Sequence, residues 1–260
     1  MKVDKRELIL ESMIQAYLRV GEPIGSAELG LLMKEAIPAS TIRVYFKKLS
    51  DAGAITQIHI SGGRIPTELA MRVFWQNKLD FEGTFDVVDG DFLDYLVSEF
   101  GLYCLVFKPY DVELKEVLNL QNRFLVLDFG VECIGLKFNR RVEKFLTNLV
   151  GSSLVELEEI AAQIGLSELR RKIGEFKNAQ VLFRANEDVA LKSRCGAYIG
   201  ETLGPNLAEL FGSSVEFSPL FEPGYMGVLA DVRFEGVETK MVVVGGIYAN
   251  YGEFFERLAA

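Results

Sequence analysis

Apolar residues near the start of the chain recur at steps of three and four. Leu10, Met13, Ile14, Tyr17 and Leu18 share one face of a helix predicted to run to about Arg19. Asp4 can cap this helix, with Glu7 three residues on to complete a box, and Gly21-Glu22-Pro23 ends it. A second, shorter helix is expected with Ser26 as its N-cap and Leu29, Leu32 and Met33 as its buried stripe. A turn through Glu35-Ala36-Ile37-Pro38 leads to a third helix from Ala39 to Asp51, closed by Gly53. Two helices joined by such a turn form a helix-turn-helix unit. Residues 54–60 then alternate as a strand does, Ser61-Gly62-Gly63 makes a tight turn, and residues 64–67 return as a second strand.

Further along, residues 69–78 read as a linker helix that ends at 80–83, and residues 91–100 as another helix. Runs rich in aliphatic and aromatic residues predict strands at 103–108, 124–128 and 134–138. Helices follow at 153–164 and 167–176, with Ser153 and Ser167 as caps, and late strands at 225–231 and 240–244. Strands, then helices, then strands again predict a mixed α/β chain of the α+β class. We divide it into residues 1–79 and residues 80–260.

The third helix carries the chemistry. Ile42, Phe46 and Leu49 are spaced to face a core, while Ser40, Arg43, Val44 and Lys47 occupy the opposite face, with Thr41 and Lys48 at its margins. A hydroxyl near the N-terminus, then Arg, then Lys, suits a helix entering a major groove N-terminus first. Arg43 can read a guanine, and Lys47 and Lys48 can hold phosphates. From the helix alone an ordinary solvated basic face explains the pattern equally well. The hairpin behind it favours the DNA reading, because a β-hairpin after a recognition helix is a wing, and Arg64 beside its turn can reach a minor groove or a phosphate.

Charge changes the picture in the same direction. The whole chain carries a net −9, but residues 1–79 hold 11 Lys/Arg against 8 Asp/Glu while residues 80–260 hold 17 against 29. A net +3 segment on a net −12 body predicts modest DNA affinity per subunit, so specific binding calls for two subunits acting together.

Three segments then carry a resemblance. Gly21-Glu22-Pro23-Ile24-Gly25-Ser26, Thr41-Ile42-Arg43 and the run from Gln57 through His59, Ser61, Gly63-Arg64-Ile65-Pro66-Thr67 are similar, in order and spacing, to the marks of the HrcA repressors. Two departures stand out: Ala70-Met71-Arg72 replaces the usual Gly-Tyr-Arg, and Val44-Tyr45-Phe46-Lys47 replaces the usual Asn-Glu-Met-Ala. The resemblance implies a winged helix-turn-helix over residues 1–79, then a GAF-like α+β domain with a short inserted dimerisation subdomain around residues 145–205. It is weaker in this second segment, where it rests on Leu105-Val106-Phe107-Lys108-Pro109, Gly227-Val228-Leu229, Gly245-Gly246 and Tyr251. The expected DNA-contacting set is Ser26, Ser40, Thr41, Arg43, Val44, Lys47, Lys48, His59, Ser61, Gly63, Arg64 and Thr67.

The function so implied is repression of heat-shock chaperone operons by a homodimer on an inverted-repeat operator in double-stranded DNA, with activity maintained by the GroE chaperonin. Two-fold symmetry asks for half-sites one or more turns of ~10.5 bp apart. The rival reading is a metabolite-sensing winged-helix regulator whose GAF-like domain binds a small molecule.

Other classes find little footing. With a single histidine, His59, placed in the wing, no nucleophile–base–orienter set can be assembled, and neither an enzyme, a metal site nor a cofactor is expected. Cys104, Cys133 and Cys195 lack paired spacing and are expected in cores. Gly245-Gly246-Ile247-Tyr248 lacks the ending of a phosphate loop and is expected to end a strand. Glu156, Glu158 and Glu159 are expected to complement a helix N-terminus and face water, and the Arg170-Arg171-Lys172 cluster to be solvated. The first residues lack the apolar core of a signal peptide, so a cytoplasmic location is expected. Mean hydropathy of +0.18 leaves loose membrane association open without predicting it.

Overall fold

The computed structural model describes residues 4–33, 37–58, 62–79, 84–110, 112–193 and 203–259. His59, Ser61 and Cys195, and the turns expected at 35–36 and 80–83, lie outside the described residues. The chain is of mixed α and β structure.

It begins with α1 (Lys5–Val20), α2 (Ser26–Leu32) and α3 (Ala39–Asp51), followed by the antiparallel pair β1 (Ile55–Thr56) and β2 (Ile65–Pro66). Ile9, Met13, Leu29, Ile42, Phe46, Leu49 and Ile55 close one core around these elements. Asp4 caps α1 by accepting from the Arg6 amide, and Gly21 ends it in the left-handed region. Ser26 is not the cap of α2; Gly25 holds that place, and the Glu28 carboxylate accepts from its amide at 3.2 Å. The two strands are shorter than the alternation predicts.

From β2 the chain enters α4 (Glu68–Lys78), whose Met71 and Trp75 are sunk in a second core with Leu79. That core lies under a six-stranded sheet of order β3-β10-β11-β4-β8, with β9 on the same edge of β10 as β3. The strands are β3 (Phe85–Val87), β4 (Tyr103–Phe107), β8 (Val181–Ala185), β9 (Val215–Glu216), β10 (Tyr225–Phe234) and β11 (Val237–Gly246). All pair antiparallel except β3 with β10.

Side chains alternate across the sheet, as the two-residue period of a strand requires. Cys104, Val106, Met241 and Val243 point into the core that contains Trp75, with α5 (Gly90–Phe100) and α11 (Tyr251–Leu258) packed there. Tyr103, Leu105, Phe107, Val242 and Val244 point to the other face. Because both faces are covered, β4 is buried at every position.

The covering of that second face comes from the chain between β4 and β8. It forms a separate sheet of β5 (Glu116–Leu120), β6 (Phe124–Asp128) and β7 (Cys133–Lys137), then α6 (Arg140–Thr147), α7 (Leu154–Ile164) and α8 (Ser167–Ala179). Two short helices, α9 (Glu187–Ser193) and α10 (Asn206–Glu209), lead back toward β9.

Three expectations need correction. Cys133 is exposed on the outer side of β7, where the alternation puts Ile134 and Leu136 inward instead; Cys104 is in the core. Leu166, not Ser167, precedes the first turn of α8, and no side chain caps it. Glu158 does not simply face water, because it meets Lys177 of α8 at 2.6 Å. Lys177 is 1% exposed and also bonds Glu209 of α10 at 2.8 Å. Tyr110, whose phenol is pushed up by burial and by Glu209, donates to the same Glu209 carboxylate at 2.7 Å. One ammonium thus ties α7, α8, α10 and the exit of β4.

Removing it strands two carboxylates in a poorly solvated site. Lys177→Ala is expected to lower the unfolding free energy by about 3 kcal/mol. Lys172→Ala, whose ion pair lies at the surface, should leave the urea midpoint nearly unchanged. Equal midpoints for the two variants would show that the buried network contributes nothing net.

Candidate nucleic-acid interface

Local sequence explains why α3 presents the side chains it does. Ile42, Phe46 and Leu49 are at most 4% exposed, so the helix cannot rotate without unburying them. The opposite stripe must then face outward: Ser40, Arg43, Val44 and Lys47 are exposed, Val44 at 55%. Close packing of α2 on α3 is permitted by Gly30, where a Cβ would stand 3.4 Å from both the Ile37 carbonyl and the Ile42 side chain.

The hairpin is brought to α3 by the connection between α1 and α2. Ile24 and Arg64 exchange both backbone hydrogen bonds at 2.9 Å, adding a third extended segment beside β2. Gly63 lies so close to Pro23 that a Cβ there would collide with the Pro23 carbonyl. Glycine is required here by contact, since its backbone is not in the left-handed region.

Together these elements enclose an open cleft of about 700 Å³, lined by Ser26, Ser40, Arg43, Val44, Lys47, Gly63 and Arg64 among others. It therefore gathers seven of the twelve predicted residues from three separate stretches of chain. Three cations face one acid, Asp51, and no ion pair among the described residues engages Arg43, Lys47 or Arg64. The Arg64 Nε is buried without a hydrogen-bond partner among the described residues, a donor that lacks an acceptor. No side chain among the described residues caps the start of α3, which leaves its first amides open to an anion. Chemically, the cleft can accept a phosphate or a base edge at several points.

Other predicted residues sit outside it. Thr41 is half-buried, and Lys48 lies over the Tyr45 ring at 5.2 Å. Thr67 caps α4 and donates to the Gly53 carbonyl at 2.8 Å, so its hydroxyl already serves the turn behind α3. Ser50 and Asp51 line the cleft but were not among the predicted residues, although they continue the helical spacing of Ser40, Arg43 and Lys47.

Comparison with known proteins places the chain. A family model described as the HrcA C-terminal domain matches residues 75–260. The protein named heat-inducible transcription repressor HrcA in Helicobacter pylori strain 26695 is 33% identical over 260 residues, covering 99% of this chain and 95% of its own. This chain belongs to the HrcA family. The like-named protein of strain J99 is 32% identical with the same coverage, and that of Protochlamydia amoebophila is 40% identical over 73 residues, 28% of this chain and 19% of its own. The HrcA family model begins within α4, so it covers the six-stranded sheet and its insert, while the cleft lies ahead of it.

Gly63→Ala is expected to destabilise the protein by about 1–3 kcal/mol, as overpacking against rigid backbone does. Gly135→Ala, where a Cβ meets only open space, should change stability by less than about 0.5 kcal/mol. Chemical denaturation of both variants checks this, and a neutral Gly63→Ala would mean the hairpin sits farther from Pro23.

Proposed function

We propose that this HrcA-family chain is a heat-inducible transcriptional repressor that grips an inverted-repeat operator as a homodimer. The observation that carries the reading is the cleft in which α3, the start of α2 and the hairpin converge with Arg43, Lys47 and Arg64, none of them in an ion pair among the described residues. In this reading residues 1–79 are a winged helix-turn-helix with α4 as its linker, and α3 enters the major groove. Ser26, Ser40, Arg43, Val44, Lys47, Gly63 and Arg64 contact DNA from within the cleft, and Thr41, Lys48, His59, Ser61 and Thr67 complete the expected contact set. Residues 80–260 form a GAF-like domain, and occupancy of the promoter blocks transcription of chaperone operons. The GroE chaperonin maintains the active form, a role carried by the family resemblance.

The dimer face is proposed on the outer side of β5-β6-β7, next to the helices of the expected insert. Leu118, Leu120 and Phe124 are 38%, 50% and 53% exposed there, with Val126 between them. Glu116 and Asp128 stand at one end of this face and Lys137 at the other. A second copy turned about a two-fold axis can therefore match acid to base around an apolar centre.

Fluorescence anisotropy on an intact inverted-repeat chaperone-promoter duplex, against one with a scrambled half-site, tests the operator reading. The intact repeat should bind more tightly, and more so with chaperonin present. Arg43→Ala should weaken it roughly ten- to a hundredfold, the span of a lost bidentate base contact. Indifference to the repeat and to Arg43 would overturn this reading and favour a metabolite-sensing regulator. Separately, Leu118→Glu with Phe124→Glu should shift the sedimenting species from dimer to monomer; a persistent dimer would place the interface elsewhere.

A further inference from the structure

Between the head (α1–α3 and the hairpin) and the six-stranded sheet, one covalent path is α4. It is fixed to the head at Thr67 and to the sheet at Trp75, two points on a single helix. Two points on one line leave rotation about that line to contacts off the axis. Ile14 of α1, buried in the Trp75 core, is one, but apolar packing is non-directional, and a hydrogen bond off the axis is needed to fix an angle.

The turn after β11 supplies it. Gly245 is pressed against Leu102, where a Cβ would stand 2.5 Å from a Leu102 methyl, and Ile247 is fully buried. The Ile247 carbonyl accepts from the Trp75 indole at 2.8 Å, so the turn has little freedom of its own. The next residue, Tyr248, leaves the sheet and reaches the head. Its hydroxyl donates to the Pro66 carbonyl at 3.1 Å, and its ring meets Tyr17 of α1 edge-on at 5.7 Å. Burial, with Tyr17 and Glu68 nearby, raises the phenol above its ordinary value, so it stays a donor at neutral pH. Pro66 lies two residues after Arg64 on the strand that borders the cleft.

We propose that Tyr248 is a positioning residue that sets the angle of each DNA-binding head on its sheet, and thereby the half-site spacing that the dimer accepts. The inference rests on the operator reading above and assigns it a part of the sequence that otherwise only ends a strand. Tyr248 is 39% exposed and outside the Trp75 core, so its loss loosens the angle, leaving only the apolar packing of Ile14 to hold it, without opening that core. The DNA surface of a single head stays intact. What suffers is the simultaneous engagement of two heads, which depends on geometry rather than on contacts.

The test uses full-length Tyr248→Phe and Tyr248→Ala on a full inverted repeat, a half-site duplex, and repeats with the spacer changed by one base pair either way. Tyr248→Phe, which keeps the ring, should lose roughly fivefold on the full repeat, the scale of one hydrogen bond, and Tyr248→Ala more than tenfold. Half-site affinity should stay within about twofold, and preference for the native spacer should shrink. Emission from Trp75, the one tryptophan, should be unchanged, and amide exchange should rise at residues 64–67. Equal losses on full and half sites, or undiminished spacer preference, would overturn the proposal. Wild-type protein that cannot tell the full repeat from the half site would instead overturn the operator reading, and the proposal with it.

Discussion

The indole of Trp75 is 1% exposed, and its nitrogen donates to the Ile247 carbonyl across 172 positions of sequence. An unpaired indole N–H at such depth would cost on the order of 1–3 kcal/mol, so the hydrogen bond fixes where α4 can dock. Tyr251 stands edge-on to the same ring at 5.5 Å and donates to the Met226 carbonyl of β10 at 3.3 Å. Through these contacts the helix leaving the head becomes part of the core beneath the sheet. Ile14 of α1 joins that core as well, although its neighbours Ile9 and Met13 belong to the head. The position of the cleft relative to the rest of the molecule depends on this joint.

Elements whose instructions are local were legible from sequence. α3 emerged at its observed bounds because thirteen residues carry one apolar stripe between a proline and a glycine. β4 and β11 were found through continuous apolar runs, the mark of strands covered on both faces. β5 was missed because Glu116, Leu118 and Leu120 all lie on its open side, so no polar–apolar alternation marks it. α6 was not anticipated, since Leu146 is its only buried residue among those described.

Partnerships across long distances left no local sign. Glu158 looked like a solvated carboxylate within an acidic run because its partner, Lys177, lies 19 residues on in another helix. The Tyr248 contact with Pro66 spans 182 positions. The cleft fared better because its parts, though drawn from three stretches, all fall within the first 64 residues. Each stretch there carries its own signal: a glycine-rich entrance, a helical stripe and a turn.

Charge and geometry then bear on the same question. Residues 1–79, with net +3, neutralise few phosphates, and the net −12 body is repelled by the duplex, so a single head gains little from non-specific attraction. In the proposed dimer, selectivity must come from engaging both half-sites at once. The second engagement is strong only where the first has already placed the other head in register, since effective concentration falls away when the geometry does not match. A loosely tethered head would accept many spacings weakly. A head held at α4 and again off its axis accepts one spacing well. The acidic body strengthens that discrimination, because any pose that swings the body toward the phosphates incurs repulsion that the two heads' few cations cannot offset.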